Sequence, residues 1–266
     1  WKTEVERLVV RYDHADWLKV SAGRYHTPLG NWNTAYHHGT WLHTSVSRPR
    51  IVRFGSDIIP IHFVGLLAEG NTARDSWSYH YFGGVGNGRH DIVSRAGDRG
   101  DANRNRAVLG GVDVHNLDTG TRFGASFYLD EVPSPAFTEI DETILSAYLG
   151  WRRDAFDFLF EYFYLEHDTP AQSDESSGYF AQLDYKIPDR SALTVYGRFE
   201  DTDIGSFDPL LASIAVDQTS IVGGLRFDVR ETIALKGELR REEFGDAGWE
   251  NNVYLQLSFV VGGGVH

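Results

Sequence analysis

The feature that most constrains this chain is an alternation of apolar and polar side chains with a period of two residues, repeated along nearly its whole length. In the last such run, Val253, Leu255 and Leu257 alternate with polar residues. Because successive side chains of a β-strand point to opposite faces, each run predicts a strand with one apolar face. About thirteen runs of this kind occur, near 3–12, 16–26, 60–69, 76–87, 106–116, 121–131, 141–152, 155–167, 177–187, 191–201, 218–229, 232–243 and 250–261.

The connections between the runs alternate in length. Short turns are expected at 13–15, 117–120, 153–154, 188–190 and 230–231. Long polar segments are expected at 27–59, 88–105, 132–140, 168–176 and 202–217. The connection at 70–75 is longer than the tight turn that this pattern requires. Short connections on one rim and long ones on the other are typical of bacterial outer-membrane barrels, whose short turns are periplasmic.

Composition agrees with this class and excludes others. The chain of 266 residues has no Cys, which removes disulfides, thiol catalysis and Cys-ligated metals, and suits passage through an oxidising compartment. A net charge of −13 argues against a nucleic-acid partner. The chain has no run of about eighteen apolar residues that could form a transmembrane helix, whereas a tilted strand crosses a bilayer with only about ten.

Alternation alone leaves open which face points outward. A soluble barrel or sandwich turns its apolar face inward, whereas a membrane barrel turns it to lipid. Aromatic residues such as Trp17, Trp77, Trp151 and Trp249 fall toward the ends of runs, where two interfacial belts would place them, and this favours the membrane barrel. The polar face then lines a lumen whose charges of both signs are Arg122, Asp130, Glu142, Arg152, Asp157, Glu161, Asp184, Lys186, Arg198, Glu200, Arg226, Asp228, Lys236, Glu238 and Arg240.

These lumenal charges are expected to pair across strands. Arg226 and Asp228 are expected to face Lys236 and Glu238 across a short hairpin, with opposite charges opposed. Because the wall is balanced, the excess acidity is expected in the loops and turns, where it would enrich cations modestly.

The connection at 27–59 is the longest and is unusually aromatic. A loop of this length without regular structure is usually functional or disordered, and its Trp, Tyr and Leu residues argue against disorder. We therefore expect it to fold into the barrel and narrow the lumen. The residues expected to form this constriction are Trp32, Tyr36, His37, His38, His43, Arg48, Arg50 and Arg53.

Strand parity predicts a larger barrel than the thirteen runs provide. Bacterial single-chain barrels have even strand numbers with both ends on the periplasmic side. We therefore expect about fourteen strands, sixteen at most, with at least one N-terminal strand preceding Trp1. A miscounted strand is the alternative.

The segment at 23–30, Gly-Arg-Tyr-His-Thr-Pro-Leu-Gly, is a strand end followed by Thr-Pro-x-Gly. Together with Tyr-His-His-Gly at 36–39 and Arg48-Pro49, it resembles the strand-to-loop junction of Gram-negative porin-like outer-membrane proteins. The resemblance implies a passive diffusion channel. Two departures are that the chain continues past Phe259, where many such proteins end on an aromatic residue, and that it lacks the dense lysine ladder of a phosphate channel.

Metal and catalytic sites are not expected. His26, His37, His38, His43 and His62 show no HExxH spacing, so loop or lumen hydrogen bonding is favoured over metal binding. No motif places a nucleophile beside a base.

The sequence thus predicts one all-β domain over 1–266, an antiparallel up-and-down transmembrane β-barrel of the bacterial outer membrane. Its expected function is that of a non-enzymatic porin without a cofactor. The expected partners are outer-membrane lipid, small hydrophilic solutes or ions and, by analogy with porins, two further copies in a homotrimer. The alternatives are a structural barrel that acts as a sheath or scaffold in an envelope complex and, second, an outer-membrane hydrolase.

Overall fold

A computed structural model describes residues 7–36, 39–90, 105–134, 139–190 and 192–260. Their main feature is one antiparallel sheet of thirteen strands, each hydrogen-bonded to its neighbours in the sequence. The strands are β1 (Leu8–Ala15), β2 (Leu18–His26), β3 (His62–Arg74), β4 (Trp77–Asn87), β5 (Ala107–Asn116), β6 (Thr121–Pro133), β7 (Glu139–Arg153), β8 (Phe156–Thr169), β9 (Gln172–Lys186), β10 (Leu193–Asp203), β11 (Gln218–Arg230), β12 (Ile233–Phe244) and β13 (Trp249–Phe259). One short helix, α1 (Asn31–Ala35), and 3₁₀ turns at Arg50–Val52 and Pro188–Arg190 lie between strands.

This order confirms the predicted up-and-down topology and all thirteen predicted runs. The sheet curves around the connection between β2 and β3, because residues of that one connection contact Glu161 on β8, Glu238 on β12 and Ser258 on β13. Among the described residues, β1 pairs only with β2 and β13 only with β12. The predicted N-terminal strand lies outside the described residues.

The connections define two rims. The turn rim carries the connections 16–17, 75–76, 117–120, 154–155, 187–192 and 231–232, and the loop rim carries 27–61, 88–106, 134–138, 170–171, 204–217 and 245–248. Three predicted connections are corrected. The short turn expected at 13–15 lies at 16–17, because residues 13–15 continue β1. The expected long segment at 168–176 is instead strand with a two-residue turn at 170–171, and the irregular connection at 70–75 is a tight turn at 75–76.

The corrections at 70–75 and 168–176 have the same physical cause. Residues 70–74 and 172–176 continue the pairing of their strands but are small or polar, so hydropathy gives no alternation there. Pairing continues because it satisfies backbone groups whether or not the side chains are apolar.

The faces of the sheet are inverted relative to a soluble protein. Leu239 and Val253 are 64% and 71% exposed on the outer face, whereas Lys236 and Glu238 on the inner face are 3% and 2% exposed. On the outer face near the turn rim, the rings of Trp151 and Phe156 stack at 6.5 Å. An apolar exterior with aromatic residues near its edge is the surface that a lipid bilayer covers in a membrane barrel.

A second apolar region lies inside the sheet, toward the loop rim. It is a buried cluster shared by the connection 27–61, the connection 204–217 and the inner face of several strands. Its larger members are Leu29, Trp32, Ile51, Ile58, Phe63, Tyr128, Ile144, Leu165, Phe180 and Leu211. Among the residues described, none of the helices has the length and apolar character needed to span a membrane.

Candidate functional site

The candidate site is the inner face of the sheet together with residues 27–61, which we call the crossing segment. The fifteen charged residues predicted to line the lumen all alternate with outward-facing positions on their strands. The exposed fraction of these side chains is mostly lower near the loop rim than near the turn rim. Most of the buried charges lie near the loop rim or the middle of the sheet, and Lys236 lies nearer the turn rim, opposite Arg226. The buried charges are Asp130, Glu142, Glu161, Arg198, Glu200, Lys236, Glu238 and Arg240. Toward the turn rim the more exposed charges are Arg122, Arg152, Asp157, Asp184, Lys186, Arg226 and Asp228.

The crossing segment first meets the wall at the start of α1. The buried carboxylate of Glu161 accepts the N–H of Asn31 at 2.5 Å through Oε1 and that of Trp32 at 3.1 Å through Oε2. These are N–H groups that a helix start leaves without an intrahelical partner. Gly30 precedes them with φ +75°, and a Cβ there would lie 2.1 Å from Glu161 Oε1. The close approach to the carboxylate therefore requires glycine.

Trp32 then fills the interior beside this anchor. Its side chain is fully buried and meets the ring of Phe180 edge-on at 5.5 Å. Tyr36 lies 5.0 Å from it and His43 5.6 Å from it, both measured between ring centroids. Three of the predicted constriction residues are thus brought together, whereas His37 and His38 lie outside the described residues.

A second acidic residue holds the middle of the crossing segment. Glu238 Oε2 accepts the N–H groups of Val46 and Ser47, each at 3.1 Å, and Oε1 accepts the Ser47 hydroxyl at 2.5 Å. Arg198 donates to the Ser47 carbonyl at 3.1 Å. Glu200 accepts the N–H of Arg50 at 2.6 Å. Carboxylates of the wall therefore replace the backbone acceptors that regular structure would have supplied.

Basic wall residues bind the carbonyl groups of the same segment. Lys236 Nζ donates to the carbonyls of Thr40, His43 and Ser45. Arg226 Nη1 donates to the carbonyl of Trp41 at 2.6 Å and to that of His43 at 3.1 Å. Acidic residues thus take N–H groups and basic residues take C=O groups, which accounts for a wall with both signs of charge.

This arrangement corrects the predicted charge pairing on β11 and β12. The register places Arg226 directly opposite Lys236, so like charges are opposed, and Asp228 opposite Ala234. Arg226 instead pairs with Asp228 on its own strand at 2.8 Å. The two cations tolerate each other because both bind carbonyl oxygens of the crossing segment.

The predicted arginines of the segment, Arg48, Arg50 and Arg53, are half-buried. The guanidinium of Arg48 lies 4.0 Å from the centre of the Phe54 ring and donates to the Val52 carbonyl at 3.1 Å. Burial lowers the pKa of Arg48 to about 10. Burial, followed by repulsion from Arg240, also lowers the pKa of Arg50 and of Arg53.

His43 is uncharged at neutral pH. Burial, followed by repulsion from Lys236, lowers its pKa to about 3. It lies among Trp32, Tyr36 and the Ser45 hydroxyl, which is 3.3 Å from its Nδ1. Among the histidines the structure describes, His26 and His62 also approach each other, with ring centroids 5.5 Å apart. No group of three or more potential metal ligands occurs in the described part of the chain.

A small gap remains between the crossing segment and the wall. Between α1 and strands β6, β8 and β9 its water-accessible volume is about 20 Å³, room for about one water molecule. Trp32, Tyr36 and His43 line it from the segment, and Arg122, Asp157 and Asp184 line it from the wall. Arg122 and Arg152 both pair with Asp157 there. The lining offers hydrogen-bond donors, acceptors and both charges to a water molecule or small ion in the gap.

Sequence reasoning missed a buried polar group near the loop rim. His167 lies between the carboxylates of Glu142 and Asp208, and Arg89 also contacts Glu142. The register pairs Glu142 with His167, so a correct strand alignment would have indicated that pair. The sequence contained no signal for Asp208, which comes from a distant connection.

Comparison with solved structures finds matches to outer-membrane proteins. The anion-selective porin from Comamonas acidovorans is 13% identical, with a TM-score of 0.61 over 92% of this chain and 70% of that one. OmpT, an outer membrane protein of Vibrio cholerae, is 11% identical, with a TM-score of 0.57 over 92% and 76%. A further porin structure is 13% identical, with a TM-score of 0.53 over 92% and 78%. No protein-family model and no curated protein matches the sequence.

Proposed function

The chain has the porin-like fold of outer-membrane β-barrels, and on this premise we propose that it is a passive diffusion channel for small hydrophilic solutes or ions in the bacterial outer membrane. The observation that carries the proposal is the inversion of its faces. Apolar side chains such as Val253 are exposed on the outside, and charged side chains such as Lys236 are enclosed. That distribution suits a wall between lipid and an aqueous interior.

The crossing segment forms the constriction in this proposal. It reaches from the end of β2 to β13 and is fixed at Glu161, Glu238 and Glu200 by hydrogen bonds to its own backbone. In this proposal the path runs through the gap beside Trp32 and Tyr36, which has room for about one water molecule and must widen to pass a solute. A narrow gap lined by both charge signs restricts solutes by size and selects weakly for charge.

The lumenal charges divide into two roles. Most of the buried ones hold the crossing segment, as Glu238 and Lys236 do, and the half-buried Arg226 shares this role. The more exposed ones toward the turn rim, among them Arg152 and Lys186, meet the solvent of the lumen and set the weak ion selectivity. Assembly into a homotrimer is part of the proposal by analogy, since one matching structure of the Vibrio cholerae protein is described as a trimer form.

A structural barrel is the second candidate, and one observation favours it. The crossing segment buries most of the charged wall toward the loop rim, including Glu161 and Arg240. A barrel filled in this way acts as a scaffold or sheath unless a path remains beside the segment. An outer-membrane hydrolase has no comparable support, and we propose no catalytic role.

Solute uptake by proteoliposomes separates these candidates. The purified protein and a variant that lacks residues 31–47 are reconstituted, and swelling is followed with uncharged solutes of increasing size. A constricted channel admits small solutes in the native protein and larger ones after the deletion. Swelling in the deletion variant alone identifies a filled structural barrel, and no swelling in either folded protein refutes the channel.

A further inference from the structure

Near the loop rim, one histidine is enclosed by two carboxylates. His167 Nδ1 lies 2.8 Å from Asp208 Oδ2, and its Nε2 lies 3.1 Å from Glu142 Oε1. All three side chains are completely buried. A carboxylate only accepts hydrogen bonds when it is ionised, so each contact needs an N–H on the ring. Both ring nitrogens therefore donate at once only when the imidazole is protonated.

Other polar groups face this cluster from every neighbouring element. Ser176 on β9 donates to Asp208 Oδ2 at 2.7 Å. Arg89, which follows β4, lies 3.3 Å from Glu142 Oε1 and donates its backbone N–H to Asp130 on β6. Among the described residues, further titratable groups near it are Tyr128, whose hydroxyl donates to Asp130, and Asp174, the cross-strand neighbour of His167.

Asp208 belongs to the connection 204–217 and links it to this cluster. Its Oδ1 accepts the N–H groups of Leu210 and Leu211, at 2.9 Å and 2.7 Å. Burial raises the pKa of Asp208, but the hydrogen bond and charge of His167, together with the hydrogen bonds from Leu211 and Ser176, outweigh burial, and the pKa lies below its ordinary value. A charged Asp208 thus fixes the backbone of its own connection and is itself fixed by His167.

The connection 204–217 covers the interior at the loop rim. Leu211 is fully buried, and it belongs to the same apolar cluster as Ile51 and Ile58 of the crossing segment. Arg89 joins the crossing segment to this cluster, because its guanidinium donates to the carbonyls of Asp57 and Ile58. One polar network therefore joins two connections of the loop rim to the wall.

We propose that His167, Glu142 and Asp208 form a proton-dependent latch that holds the connection 204–217 closed over the loop rim. When His167 loses its proton, one of its two nitrogens becomes an acceptor and faces a buried carboxylate. The closed arrangement then loses a charge-assisted hydrogen bond and gains a repulsive contact. By linkage, the closed state, in which His167 is protonated, is favoured at lower pH. It is lost as the pH rises through the titration of His167.

The latch is tested by thiol labelling, since the chain has no Cys of its own. Ala215→Cys places a thiol at a buried position of the connection, and Ser213→Cys places one at an exposed position nearby. The labelling rate of the buried thiol divided by that of the exposed thiol cancels the intrinsic pH dependence of the thiolate. This ratio is measured in detergent-folded protein from about pH 6 to about pH 10, a range that brackets ordinary and raised histidine titration.

The latch predicts a ratio that rises several-fold with pH. His167→Gln, which cannot be protonated, makes the ratio high and flat, and Asp208→Asn raises it at the low-pH end. The matched control His115→Gln changes an exposed histidine and keeps the native profile. A flat, low ratio in the native background, or an unchanged rise with His167→Gln, overturns the latch.

The effect of the latch on transport rests on the proposed channel. It is measured by the open probability of the channel, separately from the labelling ratio. In bilayer recordings, the open probability of the native protein then increases as the pH rises over the same range. The open probability of His167→Gln does not depend on pH. A pH-dependent labelling ratio in a barrel that never conducts contradicts the channel but keeps the latch. A conducting barrel with a flat, low ratio contradicts the latch but keeps the channel.

Discussion

Glu161 and Trp32 are 129 residues apart in the chain, and the carboxylate of the first accepts the backbone N–H of the second at 3.1 Å. This contact fixes the start of α1 against β8 inside the sheet. The same principle recurs along the crossing segment, whose backbone is bound by side chains of the wall instead of by its own secondary structure. The charged interior therefore has a structural role as well as contact with solvent.

Glu161→Gln tests the first anchor. The amide of Gln turns one acceptor into a donor that faces the N–H of Asn31 or Trp32, so we expect the segment to loosen and the conductance to rise. The lost charge-assisted hydrogen bond costs about 1.5–3 kcal/mol of stability. Conductance and urea unfolding are compared with those of Glu231→Gln, an exposed glutamate in a turn. Equal behaviour of both variants would contradict the anchor.

Gly30→Ala tests the close approach to the wall. Gly30 and Gly55 both have positive φ, +75° and +72°, but a Cβ at Gly30 would meet Glu161 and Phe163, and one at Gly55 has open space. Backbone strain is thus shared by Gly30→Ala and Gly55→Ala, and the collision is specific to the first. We expect Gly30→Ala to be the more destabilising of the two in urea unfolding. The account fails here if Gly55→Ala costs as much.

Lys236→Met tests the carbonyl anchor. The substitution keeps an unbranched side chain and leaves the carbonyls of His43 and Ser45 without the ammonium donor. We expect lower thermal stability and a change in conductance without a reversal of ion selectivity. Lys186→Met, which removes an exposed charge from the same face near the turn rim, is the control. Reversed selectivity in Lys236→Met would show that this lysine governs charge discrimination in the pore.

The titration of His43 predicts an acid sensitivity of the crossing segment. Its pKa in the folded protein is about 3, below the ordinary value of 6.5. The unfolded chain therefore binds a proton that the folded chain excludes, and stability falls as the pH drops from about 6.5 toward about 3. His43→Gln removes this contribution, so we expect urea unfolding to depend less on pH between about 7 and about 4. An identical pH dependence in the variant would refute the assignment.

Much of the fold could be predicted from the sequence, and the reason is physical. A strand between lipid and a wet interior must alternate, so runs such as the one that ends at Phe259 are visible in the sequence. Alternation fades where both faces of a strand are wet, as at residues 172–176. The turn at 170–171 was missed for that reason.

The site was less predictable than the fold. Aromatic content indicated that the crossing segment is ordered, and alternation placed Glu238 and Lys236 on the inner face. Their partners could not be predicted, because hydrogen bonds from a wall to a loop backbone depend on the path of the loop. The predicted cross-strand pairing of Arg226 was wrong for the same reason. Its hydrogen bonds to the carbonyls of Trp41 and His43 compensate for the repulsion from Lys236.

The central claim is that this barrel conducts through a narrow path beside the crossing segment. The most direct test is single-channel recording of the purified protein in a planar bilayer under a salt gradient. The account predicts small stepwise conductances with a reversal potential near zero, because the gap is lined by Arg122 as well as by Asp157 and Asp184. A folded, inserted protein that remains silent at every pH would contradict it.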